Sequence, residues 1–374
     1  MFKRRTLIVD DSVVIRRSLT DALSRESDLE VVGSAPSGRV ALMKMAIVCP
    51  DVVVLDAEMP EMDGLETLAA IRKDYSKISV IMLNVWTDQT AAKTLDALTL
   101  GARDYVNKPN IGPGFDDALR TVASELASKI RVCCPDISHE DSAGRSKEPI
   151  PLSKVSPSAA ASDLDKRVDV LAIGVSTGGP NALMELIPQF PADFPVPILI
   201  VQHMPPIFTK LLAQRLAAKC KISVAEGISG QQLFPGGAWI APGDLHMAIA
   251  KERDVIRILT NQDPPENSCR PAADVLFRSV AQVYRSHVLA VVMAGMGQDG
   301  LRGCQQIHSA GGQVLVQDEA SSVVWGMPSF VVKAGIVDRI LPLNALGSEI
   351  LNRVWKFRSE KLTRVGGRPV GVRS

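Results

Sequence analysis

Short runs of β-branched and other apolar residues, each ending at a polar side chain and followed by apolar residues at helical spacing, recur along this chain. The run 6–9 ends at Asp10 and Asp11, after which Ile15, Leu19 and Leu23 share one helix face. The run 29–32 leads into a helical stretch at about 37–47, and the runs 52–55, 80–83 and 104–107 end at Asp56, Asn84 and Lys108. Five strand–helix units within residues 1–128 predict an α/β domain, a doubly wound parallel sheet of flavodoxin-like order.

The pattern stops and then resumes. Residues 131–166 hold seven Ser, four Pro, four Ala and no aromatic residue, too little apolar surface to offset the entropy of ordering them. A flexible linker is expected over 129–166, long enough for the flanking domains to touch or separate. Beyond it, the runs 168–173, 196–201 and 288–293 are nearly all apolar, as strands buried on both faces must be. Gly/Pro turns alternating with short β-like stretches at 231–259 predict an antiparallel hairpin on the sheet edge. A second, mostly parallel α/β domain is therefore expected over 167–358. The last 24 residues carry seven basic groups against one acid, and 359–374 reads as a basic disordered tail.

Charge narrows the function classes. The chain has 42 Lys and Arg against 41 Asp and Glu, and residues 167–350 have 14 against 15. No broad basic face is available for nucleic acid, which argues against a DNA-binding output. No apolar run reaches the length of a membrane span, so a cytoplasmic protein without membrane insertion is expected; a monomer is a further expectation, which no sequence feature fixes. Six cysteines with no CxxC spacing read as reduced thiols, with Cys133 and Cys134 exposed in the linker.

Strand ends carry the chemistry in such folds. In the first domain Asp10, Asp11, Asp56 and Lys108 fall there, and crowded carboxylates call for a cation such as Mg²⁺. Asp56, alone at the end of the central strand, is the natural phosphate acceptor, with the Lys108 ammonium against the phosphoryl group. Asp10-Asp11, Leu55-Asp56-Ala57-Glu58-Met59-Pro60-Glu61-Met62-Asp63-Gly64 and Lys108-Pro109 resemble the receiver domain of two-component response regulators. That resemblance implies phosphorylation of Asp56 by a partner histidine kinase, with Mg²⁺ on Asp11, Asp56 and the backbone of Glu58. Asn84 departs from the Ser or Thr usual there, with Thr87 three residues on, and Tyr105 stands at the family's aromatic switch position.

In the second domain Gly174-Val175-Ser176-Thr177-Gly178 fits G-x-S-x-G at a strand-to-helix turn, which presents a serine hydroxyl above a sheet. A Gly-rich turn there equally suits a phosphate or dinucleotide loop, against which stand the missing G-x-G-x-x-G and the histidine at the next strand end. Ser176, His203 and Asp299 come from three strand ends and together suit nucleophile, base and orienting acid, needing no cofactor for hydrolysis. Glycines at 295 and 297 equally suit a tight turn alone or a close backbone approach that makes the Met296 and Gly297 amides candidate oxyanion donors. Gly-Val-Ser-Thr-Gly-Gly-Pro at 174–180, Gln-His-Met-Pro at 202–205, Ala-Pro-Gly-Asp-Leu-His-Met at 241–247, Cys-Arg-Pro at 269–271 and Gly-Met-Gly-Gln-Asp-Gly at 295–300 resemble the chemotaxis protein-glutamate methylesterase and glutamine deamidase family, CheB. The resemblance implies hydrolysis of γ-glutamyl methyl esters and deamidation of glutamines on the cytoplasmic helices of chemoreceptors. Thr177, His246 and Arg270 are candidate substrate contacts, whereas His139 and His308 read as solvated. An adaptor that kept the fold and lost the activity is the competing reading, and the complete residue set weighs against it.

Overall fold

The computed structural model describes residues 3–85, 87–134 and 167–365 and divides the chain into two compact units, Met1–Ile150 and Pro151–Ser374. Most of the expected linker, with His139, lies outside the described residues. In the first unit β1 (Arg4–Val9), β2 (Leu29–Ala35), β3 (Val52–Asp56), β4 (Ser79–Asn84) and β5 (Asp104–Asn107) form one parallel sheet in the order β2-β1-β3-β4-β5. Val9 pairs with Leu55 and Asp56 with Leu83, so Asp10 is level with Asp56 at the carboxyl edge and Asn84 lies one residue beyond.

Helices α1 (Val13–Leu23), α2 (Gly38–Val48), α3 (Gly64–Asp74), α4 (Asp88–Leu100) and α5 (Phe115–Cys133) cover the sheet. The Ser12 side chain caps α1 at the Ile15 amide, which orients Ile15, Leu19 and Leu23 into the core with Ile8, Val54, Leu83 and Leu126. Helix α5 runs past the expected domain boundary at 128. Its apolar face continues from Val122 and Leu126 to Ile130, which is fully buried, and Arg131 binds Asp28 at 2.8 Å and Glu26 at 2.5 Å. Residues 129–134 therefore belong to the first unit, and Cys133 and Cys134 pack against its core instead of standing exposed. Burial pushes the Cys133 thiol up to about 12.

The second unit is built on seven parallel strands. These are β6 (Val170–Val175), β7 (Ile198–Gln202), β8 (Ser223–Glu226), β9 (Gly237–Ile240), β12 (Val288–Val292), β13 (Gln313–Gln317) and β14 (Arg339–Leu341), in the order β14-β13-β12-β6-β7-β9-β8. Helices α6 (Gly179–Leu186), α7 (Pro206–Lys219), α8 (Ala273–Tyr284), α9 (Leu301–Ser309), α10 (Gly326–Lys333) and α11 (Leu343–Val365) complete it. The expected hairpin, β10 (His246–Glu252) and β11 (Val255–Asn261), forms a two-stranded sheet of its own, and β8 holds the main sheet's edge. The reason is packing: Met247, Ile249 and Ile258 bury their side chains in one cluster with Leu276, Phe277 and Val280 of α8. Helix α11 continues to Val365, beyond the expected start of the tail at 359, since helix formers persist up to Gly366-Gly367. Residues 366–374 lie outside the described residues. Among the described residues, no helix is long and apolar enough to cross a membrane.

Ile130→Ala should cost the first unit about 2–5 kcal/mol, the usual range for emptying a buried aliphatic site. Chemical denaturation followed on that unit's transition reads it, and a loss below about 0.5 kcal/mol, the ordinary surface value, would return residues 129–134 to the linker.

Candidate active site

In the first unit the Lys108 Nζ lies 2.7 Å from Asp56 Oδ2, 2.8 Å from Asp10 Oδ2 and 3.9 Å from Asp11 Oδ1. Asp10 Oδ1 accepts the Ser12 amide at 2.8 Å, and Asp56 Oδ1 accepts the Glu58 amide at a long 3.4 Å. Burial raises the Asp56 pKa to about 6, and the neighbouring Asp10 charge adds to this against the opposing Lys108. Burial raises Asp10 as well. One ammonium thus faces three carboxylates, and one oxygen from each of Asp10, Asp11 and Asp56 lies within 4.8 Å of the others. An all-oxygen donor set with surplus negative charge fits a hard divalent cation. Asn84 is buried, and its amide donates to the Thr90 carbonyl at 2.8 Å and to the Thr94 hydroxyl. Thr87 caps α4. Tyr105 is buried, with the Lys129 ammonium 5.2 Å from its ring centre.

In the second unit the strand register gathers the expected residues. Val175 pairs with Gln202 and Gly174 with Val292, which brings the residues following β6, β7 and β12 to one edge. The Ser176 backbone amide donates to the Ala294 carbonyl at 2.9 Å, and its carbonyl accepts from the Gln202 side-chain Nε2 at 2.9 Å. Gly178 takes φ +80°, so the chain can turn straight into α6. A Cβ on Gly295 would stand 2.8 Å from the Ser176 Cβ, so only glycine lets the 294–300 loop pass so close to the serine. The Met296 and Gly297 amides make no hydrogen bond among the described residues, and both residues are exposed.

His203 Nε2 lies 2.8 Å from Asp299 Oδ2, and its Nδ1 faces the Cys269 sulfur at 3.5 Å. Among the described residues no hydrogen bond joins the Ser176 hydroxyl to His203. The structure thus pairs His203 with Asp299 and sets Ser176 on the adjoining strand end. With Nε2 committed to Asp299, Nδ1 is the nitrogen left to accept a proton.

Asp299 is a buried anion with five donors. Besides His203, it accepts the backbone amides of Ala273 at 2.5 Å, Asp274 at 3.0 Å and Gly300 at 3.0 Å, and the Asn267 side-chain amide at 3.0 Å. Ala273 and Asp274 open α8, whose first N–H groups have no partner within the helix. Burial alone would raise the Asp299 pKa, but the His203 contact and the α8 amides outweigh it and hold the carboxylate below its usual range. Burial likewise opposes charge on His203, but the buried Asp299 carboxylate prevails and raises its pKa above the usual histidine value.

Against known proteins, residues 171–350 match the CheB methylesterase family, and residues 6–116 match the response regulator receiver domain. A Trichodesmium erythraeum protein named protein-glutamate methylesterase/protein-glutamine glutaminase is 51% identical over 356 residues, covering 95% of this chain and 100% of the relative. The chain belongs to the CheB methylesterase family. A Nocardioides protein of the same name is 45% identical over 360 residues, covering 95% of this chain and 96% of its own. The solved Thermotoga maritima CheB methylesterase catalytic domain is 38% identical, covers 49% of this chain and 97% of that one, and has a TM-score of 0.49.

Set within this CheB-family chain, two expected substrate contacts are already engaged. His246 does not line a groove: it is buried, its Nδ1 accepts the Ala272 amide at 3.3 Å, and its Nε2–H donates to the Pro264 carbonyl at 3.1 Å. It ties the hairpin to the start of α8. Arg270 pairs with Asp244 at 2.6 Å and donates to the carbonyls of Gln262 and Asp263. Thr177 stays half-buried beside Ser176. Sequence reasoning missed Asn267 as a contact of Asp299 and did not place Cys269 beside His203. The one sequence signal was a polar Glu-Asn-Ser-Cys quartet ahead of Arg270, with asparagine suited to a left-handed turn.

Asp299→Asn removes the charge that sustains the imidazolium and leaves the burial. His203 should then titrate at lower pH than in the parent. Nitrogen-15 NMR of histidine-labelled protein reads the midpoint, and an unchanged value would show that Asp299 does not control it.

Proposed function

We propose that the chain is a phosphorylation-controlled serine hydrolase that demethylates γ-glutamyl methyl esters and deamidates glutamines on chemoreceptor helices. The observation that carries the reading is the His203–Asp299 pair at the strand edge where Ser176 and the free Met296 and Gly297 amides also lie. Ser176 Oγ attacks the γ-carbonyl carbon while His203 Nδ1 takes its proton, and Asp299 holds the resulting imidazolium. The Met296 and Gly297 N–H groups receive the oxyanion. The bond to the methoxy oxygen then breaks, His203 returns the proton, and methanol leaves; from glutamine the product is ammonia. Water attacks the γ-glutamyl ester of Ser176 by the same route, releasing glutamate and the free serine.

Control is assigned to the receiver unit. A phosphorylated histidine kinase would donate to the Asp56 carboxylate, with transfer of the phosphoryl group from nitrogen to oxygen. Asp11, Asp56 and the Glu58 carbonyl would hold Mg²⁺, which supplies the positive charge that three crowded carboxylates lack. Lys108 would bind a phosphoryl oxygen, and Asp10 would hold Lys108 in place.

The purified full-length protein should release methanol from methylated receptor fragments, and faster with a small-molecule phosphodonor and Mg²⁺. Ser176→Ala should lower turnover by several orders of magnitude; retention of a tenth of the parent rate would sink the serine mechanism. Asp56→Asn should incorporate no phosphate and show no response to the donor, while basal release continues. Donor-stimulated release in Asp56→Asn would place the control elsewhere.

A further inference from the structure

Residues 266–269 form a tight turn against the His203–Asp299 pair. The Glu266 amide donates to the Cys269 carbonyl at 3.1 Å and the Cys269 amide to the Glu266 carbonyl at 2.9 Å, with Asn267 and Ser268 between them at φ +52° and +62°. Two consecutive left-handed residues closed in this way make a rigid reversal, and asparagine is among the few non-glycine residues that tolerate it. The turn is anchored on α8, since Arg278 grips the Glu266 carboxylate through two bonds, at 2.6 and 2.5 Å. From this base Cys269 reaches His203 Nδ1, and the Asn267 side-chain nitrogen donates to both Asp299 Oδ1 and Asp274 Oδ2 at 3.0 Å.

Resting on the hydrolytic reading above, we infer that Asn267 is a positioning residue for the reaction: its amide bridges two buried carboxylates and fixes Asp299 in the orientation that holds His203 by Nε2 and leaves Nδ1 for the serine proton. Asp274 is itself buried, beside Asp299, and takes the Gly303 amide at 2.7 Å on its other oxygen. Without the amide between them, two buried carboxylates repel, and the movable partner is the one bound to His203. Charged and titratable neighbours are few and placed. Asp299 and Cys269 face His203 directly; behind them stand Asp274 and Arg278 of α8, Glu266 of the turn, and Arg302 and Cys304 of α9.

Asn267→Gly isolates the amide, because glycine keeps the left-handed backbone and loses only the side chain. Asn267→Asp keeps the shape and sets a third carboxylate where the donor stood. In methanol release by the full chain, both should lower kcat about tenfold or more with KM unchanged. In the aspartate variant the added negative charge should move the acid limb of the kcat profile, and the His203 NMR midpoint, to higher pH. Near-parental kcat in the glycine variant, or equal losses in both variants with an unmoved midpoint, would reduce Asn267 to a loop-shaping residue and overturn the inference. A parent protein that releases no methanol, or whose release survives Ser176→Ala, would instead overturn the hydrolytic reading on which it rests.

Discussion

A strand buried on both faces can present a polar side chain at little cost only where it leaves the sheet. Both units are governed by this constraint. The strands Val52–Asp56 and Val170–Val175 are buried along their whole length, and interior polar groups there would lose water without gaining partners. Parallel pairing then aligns the carboxyl ends of neighbouring strands, because each partner runs in the same direction and hydrogen-bonds in one register. Asp10 beside Asp56, and Ser176 beside His203 and the 294–300 loop, are consequences of that alignment.

The two units then use buried carboxylates in opposite ways. Asp299 has four amide donors besides its histidine, two of them from the start of α8, and is held as a permanent anion. Asp56 has one lysine, one long amide contact and a second carboxylate at its side, and its pKa rises to about 6. Burial is common to both. The number and geometry of donors decide whether it yields a carboxylate paired with a histidine or an under-neutralised oxygen that fits a hard cation.

Sequence alone revealed the parts set by local pattern. Apolar runs leading to Asp10, Asp56, Ser176, His203 and the 294–300 loop that carries Asp299 located the strand ends, and a parallel sheet required those ends to converge. What escaped it depends on contacts between segments distant in sequence. Nothing local says that Met247 and Ile258 pack on α8, yet that packing separates the hairpin from the main sheet and buries His246. A Ser/Pro-rich composition concealed the last turn of α5, although Ile130 continues the same helix face as Val122 and Leu126. Asn267 is 32 residues from Asp299 in the chain and meets it only because the turn is tied to α8 through Arg278.

His203 gives Nε2 to Asp299 and turns Nδ1 toward the Cys269 sulfur, while the Ser176 hydroxyl makes no bond to it. On the proposed mechanism the serine must take the place now held by the thiol. A thiol is a weak hydrogen-bond donor, so the exchange costs little compared with moving the imidazole away from Asp299. The strong contact therefore defines the ring's plane, and the weak one is the contact that the serine hydroxyl would replace. On the proposed mechanism the base would then be positioned by its acid rather than by its nucleophile, and the 266–269 turn would matter to the chemistry although none of its residues belongs to a strand end.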